Sequence, residues 1–152
     1  MSQYFAITRL TVLCSLLFLL GGGCTRSVST PYLSSISLHG HPLFLELART
    51  PEEQRLGLGG RTELQPDRGM LFIFSTTGTP AFWMQGMKIP IDLVWIENQR
   101  IVGIERDLLP PQGAEEPITV HPPAPIDRVL ELSAGGGARY ELQVGERLTE
   151  LP

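Results

Sequence analysis

Beyond residue 24 this chain has no cysteine to work with. Only Cys14 and Cys24 are present, and both sit near the start, inside or at the edge of an apolar leader. Thiol catalysis, zinc–thiolate sites and stabilising disulfides are therefore excluded from everything after residue 24, whatever the redox compartment. Basic runs are missing too. Twelve Lys and Arg face sixteen Asp and Glu, a net charge of −4, which argues against nucleic acid as a partner. The chain lacks a G-x-S-x-G elbow, an H-E-x-x-H pair, a P-loop and a dinucleotide fingerprint. Its apolar leader run, "LTVLCSLLFLL" (10–20), is too short to span a bilayer comfortably.

What is present begins with that leader. Arg9, the apolar run and "GGGC" (21–24) have the order of an export signal ending in small residues. Cys24 after three glycines resembles a bacterial lipoprotein processing site, at which the leader is cut before a cysteine that then carries the lipid. The expected organisation is a signal peptide over 1–23, a lipid-attachment Cys24 with a polar tether over 24–35, and one domain over 36–152. Thr25 stands where an aspartate would retain a lipoprotein at the inner membrane, so the expected location is the outer membrane, facing the periplasm. Removing 1–23 also removes Arg9, which leaves 11 basic and 16 acidic residues, a net charge of 11 − 16 = −5. Such a domain gains little from anionic lipid, and the acyl chains would do the anchoring.

With 42% hydrophobic residues, 16 glycines and 13 prolines, the domain should bury a core with short strands and many turns. "HPLFLELA" (41–48) alternates as a strand does. "TPEEQRL" (50–56) starts a short helix: Thr50 caps, Pro51 suits the first helical position and Glu53 completes a capping box. "MLFIF" (70–74) reads as a central strand, and "AFWM", "IDLVWIE" (91–97), "IVGIERD" (101–107) and "RVLEL" (128–132) as further strands, with "ENQR" (97–100) as a hairpin turn. Six prolines over 110–125 predict a long loop. "SAGGGARY" is a glycine-rich turn with room for one helical turn at its end. The expected fold is all-β, an antiparallel sandwich or barrel, jelly-roll-like, with one short helix near 51–57.

The blocks "ARTPEEQRLGL", "RTEL", "GMLFIF", "FWM", "IPIDLVWI", "IVGI", "VLELSAG" and "VGERL", in this order, resemble the domain-of-unknown-function 192 family over about residues 36 to 148. The resemblance implies an all-β, sandwich-like domain of a kind that is often exported, and brings no reaction with it. Relatives tend to have methionine where this chain has Gly59, and Lys-Asn-Thr where it has Gln85, Gly86 and Met87.

The chemistry-bearing candidates are few. Asp92 interrupts the apolar "IPIDLVWI", so strand alternation leaves it buried or at a pocket rim, where it needs a partner. Arg61, the arginine of the matching block, is the expected one. A structural role, either an ion pair or a carboxylate capping backbone N–H groups, is the leading reading of Asp92, a pocket contact the second and a catalytic base the third. Trp83, Met84 and Met87 suit either an apolar ligand site or a core. His39, His41 and Glu46 are too sparse a set to argue for a metal, and no cofactor is expected. These residues favour a binding module for a small molecule, a glycan or an envelope protein, with Arg61, Trp83, Met84 and Asp92 at its ligand surface. Two rivals remain: a hydrolase with Asp92 as base, and an accessory subunit with a broad apolar patch and no pocket.

Overall fold

The structure is a computed structural model that describes residues 33–113 and 116–152. The stretch expected as a signal peptide and the expected lipid-attachment residue Cys24 lie outside the described residues. Eight strands and two short helices follow in chain order: β1 (Leu33–Leu38), β2 (His41–Ala48), α1 (Pro51–Leu56), β3 (Arg68–Gly78), β4 (Phe82–Trp83), β5 (Ile91–Glu97), β6 (Arg100–Leu108), β7 (Thr119–Val120), β8 (Ile126–Ser133) and α2 (Gly136–Arg139). Six strands make one sheet in the order β1-β2-β3-β8-β5-β6, while β4 and β7 pair separately. No closed barrel forms among the described residues.

Two turns set the outer hairpins. His39 and Gly40, both at positive φ, join β1 to β2, and Asn98 and Gln99 do the same between β5 and β6. β1 begins at Leu33, so it takes in the end of the stretch expected as tether; its serines hide the strand pattern. The pairing of β2 with β3 is parallel, against the antiparallel expectation. The reason is α1, which crosses between them. Thr50 accepts from the Glu53 backbone N–H while the Glu53 carboxylate accepts from the Thr50 N–H, closing the capping box that starts the crossover helix. The proline-rich segment is mostly irregular, as expected, but Thr119–Val120 pairs with Phe82–Trp83 and fastens it down.

Both faces of the sheet are buried. One carries Leu45, Leu47, Leu71, Val94, Leu130 and Leu132 under a lid formed by Tyr140, Leu142, Leu148 and Leu151 of the C-terminal segment. The Tyr140 hydroxyl donates to the Pro42 carbonyl at 3.0 Å and stitches that lid to the start of β2. The other face carries Met70, Phe72, Leu93, Trp95 and Val129, covered by Leu58, Met84, Met87 and Phe82. "IDLVWI" is buried on both sides because each alternate residue meets a different lid.

Candidate functional site

Cross-strand register decides which polar side chains can meet. Glu46 lies opposite Met70, Met70 opposite Glu131, and Glu131 opposite Leu93, which in turn faces Glu105 on β6. Glu46, Glu131 and Glu105 therefore share the face that carries Phe72 and Trp95. Asp92 pairs with Leu132 and lies on the opposite face, beneath α2 and the C-terminal lid.

That geometry corrects the expected pairing of Arg61 with Asp92. Arg61 makes a two-pronged ion pair with Glu46 at 2.6 and 2.7 Å, reaching back from the loop after α1 to β2. The Arg61 guanidinium holds the Glu46 carboxyl below its ordinary range. Asp92 is 1% exposed and accepts from the backbone N–H groups of Asp107 and Gly137, each at 2.9 Å. Its site needs a glycine: a Cβ on Gly137 would come within 2.7 Å of the Arg106 guanidinium and 3.2 Å of the Asp92 carboxylate. Asp92 is thus a structural tie between β5, the end of β6 and α2, sealed from solvent. A base in that position has no access to a substrate, which removes the hydrolase reading built on it.

The face of Glu131 is different. A cavity of about 320 Å³ opens between α1, the loop that follows it and β4, with Glu131 on its lining. Its walls include Leu58, Phe72, Phe74 and Phe82, and Trp83, 56% exposed, stands at the mouth. Phe82 is the fixed wall: its ring meets Phe72 edge-on at 5.1 Å and Trp95 at 5.4 Å. Met84 is 3% exposed and packs into the core behind this wall, where it lines a separate void of about 10 Å³ that Glu131 also touches. Of the expected ligand residues, Trp83 lines the main cavity, Met84 stands behind it, Arg61 is held by Glu46 nearby, and Asp92 is on the wrong face. Met87 lines the cavity as well.

Glu131 is the residue that reading the sequence passed over. It is 6% exposed, and its Oε2 is buried with no hydrogen-bond partner. Burial pushes its carboxyl up to about 8, against the opposing pull of Arg61. The signal was present in "RVLELS", an acid in an apolar strand like Asp92, on the same side as Val129. Gly57 leaves the space above it open. A Cβ there would lie 3.9 Å from Glu131 Oε2 and 3.3 Å from the Phe72 ring, at a backbone φ of +50° that favours glycine.

A buried, unpaired acid facing an apolar cavity can give a proton to a ligand or pair with a cation. The cavity lining offers no second acid, histidine or nucleophile among the described residues; its other charged group, Arg55, is exposed and paired with Glu52 at 2.7 Å. The histidines do not gather either. His39 contacts the Tyr140 carbonyl oxygen at 2.9 Å and Glu146 at 2.8 Å, away from Glu46.

Two solved structures are similar to this chain. A protein of Sinorhizobium meliloti 1021, named as a candidate transcription regulator, is 32% identical, with 76% of this chain and 88% of that one covered at a TM-score of 0.64. A protein of unknown function from Novosphingobium aromaticivorans DSM 12444 is 28% identical, with 80% and 88% covered at a TM-score of 0.68. No curated protein matches the chain significantly. Residues 34–150 match the DUF192 family, described as Uncharacterized ACR, and the chain belongs to that family.

Proposed function

We propose that this protein is an exported, lipid-anchored component of the cell envelope whose β domain binds a small, largely apolar molecule in the cavity above Glu131. The observation that carries the binding half is the aromatic-walled cavity of about 320 Å³, of the size and lining usual for small ligands. A glycan would want many polar partners on those walls, and they offer few. The accessory-subunit alternative called for an apolar patch without a pocket, and it is the weaker reading for that reason. The regulator role named for the Sinorhizobium protein does not carry over to a domain with 11 basic and 16 acidic residues after residue 23.

The anchoring half rests on the leader sequence and Cys24. Its partner is the membrane, through acyl chains, at the outer membrane facing the periplasm. Labelling cells with an alkyne fatty acid should mark the wild type and spare Cys24→Ser.

The binding half is tested by a thermal-shift screen of the full chain against small apolar metabolites, comparing wild type with Ala81→Trp, which fills the cavity from an exposed wall position. A ligand at a hundred times its Kd adds about 2.7 kcal/mol. Shifts in wild type that disappear in a folded Ala81→Trp support the reading. Equal shifts in both remove it.

A further inference from the structure

Beside Gln54, Gln85 and Arg55 of the lining, Glu131 gives the cavity a buried polar point, and its protonation state decides what that point can recognise. The carboxyl sits at the floor, between the main cavity and the small void behind Met84, with Oε2 shielded from water and bonded to nothing. The charged groups around it are already committed. Arg61 is paired with Glu46 on one side of the row, Arg55 with Glu52 at the rim, and Glu105 at the far side accepts a long contact from the Trp95 indole N–H at 3.5 Å. Among the described residues no cation forms an ion pair with Glu131; Arg61 pulls on it only at a distance while bonded to Glu46, so burial prevails and the carboxyl is held neutral, in keeping with its raised titration midpoint. A neutral carboxyl whose buried oxygen has no partner brings an O–H donor to the cavity without an acceptor from the chain, and leaving such a group unsatisfied is costly.

We propose that this cavity selects a neutral ligand whose carbonyl or ether oxygen, carried on an apolar body, accepts the hydrogen bond of the Glu131 carboxyl. The proposal rests on the small-molecule reading above and adds the ligand's chemistry to it. Phe72, Phe74 and Phe82 surround the body, Gly57 leaves room for the acceptor to reach the floor, and Glu131 sets its orientation. Discrimination comes from the buried donor. A ligand of the same shape without an acceptor covers Glu131 and leaves it unpaired, which a site built around one hydrogen bond penalises strongly. Ammonium ligands are the competing class: they need the carboxylate form and bind with release of a proton. Two properties separate the classes. An acceptor ligand is lost as pH rises and the donor ionises, whereas an ammonium ligand is gained. Glutamine at this position keeps an N–H donor and so preserves acceptor binding, but it cannot pair with a cation.

The test uses three probes of one skeleton, acetophenone, ethylbenzene and 1-phenylethylammonium, at matched aqueous activity. Binding to the full chain is read from the carbon-13 methyl signal of Met87, which lines the cavity. The expected result at pH 6.5 is at least tenfold tighter binding of acetophenone than of ethylbenzene. That preference should fade by pH 9.5, persist at both pH values in Glu131→Gln, and vanish in Glu131→Met. Equal binding of acetophenone and ethylbenzene would overturn the proposal while leaving the cavity a binding site. Tightest binding of the ammonium, lost in Glu131→Gln, would overturn it in favour of a cation site. If no probe moves Met87, the small-molecule reading itself fails, and this proposal with it.

Discussion

Each face of the sheet buries one acid that has no ion-pair partner, Glu46 being paired with Arg61, and the two faces treat it in opposite ways. Asp92 on β5 is given two backbone N–H donors and a glycine to let them approach. Glu131 on β8 is given an aromatic cavity and no partner for its Oε2. Burial is nearly equal, 1% against 6% exposed, so burial does not tell the two roles apart. Satisfaction does. A buried acid whose oxygens are bonded is holding elements together, whereas one left unbonded beside open space is poised to meet something that is not part of the chain.

The sharpest way to break this contrast is to remove each acid in turn. Asp92→Ala should cost about 2–5 kcal/mol, because it strands two N–H groups, one of them fully buried, and loosens α2. Glu131→Gln should leave stability near pH 7 unchanged or raised, since nothing in the fold depends on its charge. Denaturant melts of both variants check this, and equal losses would erase the distinction.

The next effect is in pH. An unfolded glutamate ionises near 4.5, whereas folded Glu131 keeps its proton to about 8. Between those values the native state binds one more proton, so stability is full below about 4.5, falls as pH rises through the window and levels above about 8. The total fall is on the order of a few kcal/mol. Glu46 works the other way: its lowered carboxyl contributes stability above the ordinary value that is lost as pH falls below it. Melts from pH 4.5 to 9 should therefore slope downward in wild type and flatten in Glu131→Gln.

Smaller effects should come from the two lids. Tyr140→Phe removes the hydroxyl that donates to the Pro42 carbonyl, for about 1 kcal/mol, on the Asp92 face. Thr50→Ala opens the capping box of α1, also for about 1 kcal/mol, and should weaken ligand binding besides, because α1 is a wall of the cavity. The first substitution should leave ligand binding unchanged. Calorimetry on the pair tests whether the faces are independent.

Much of the fold could be read from residues alone. The capping box, the "ENQR" turn and the doubly buried "IDLVWI" are local signals that survive in the structure. The parallel β2–β3 pair could not be read, because a six-residue helix serves as well in a turn as in a crossover. Asp92 drew attention as an acid in an apolar run and proved to be buried and structural as expected; backbone N–H groups hold it rather than Arg61, and which ones they are no sequence marks, since every residue carries one. Arg61 went to Glu46 because register puts Glu46 on its side of the sheet, and register emerges only when strands pair. Glu131 carried the same sequence signal as Asp92. What distinguishes it is the empty space made by Gly57, α1 and β4 together, and that belongs to the tertiary structure.

The most direct test of the account is a titration of Glu131 in the full chain, labelled with carbon-13 at the glutamate side-chain carboxyls and assigned by comparison with Glu131→Gln. The expected result is a midpoint near 8 in the free protein, with Glu46, Glu52 and Glu53 held below the ordinary glutamate value by their hydrogen-bond partners. A Glu131 midpoint near 4.5 would mean that the carboxylate is hydrated or paired in solution. The neutral donor at the floor of the cavity would then not exist.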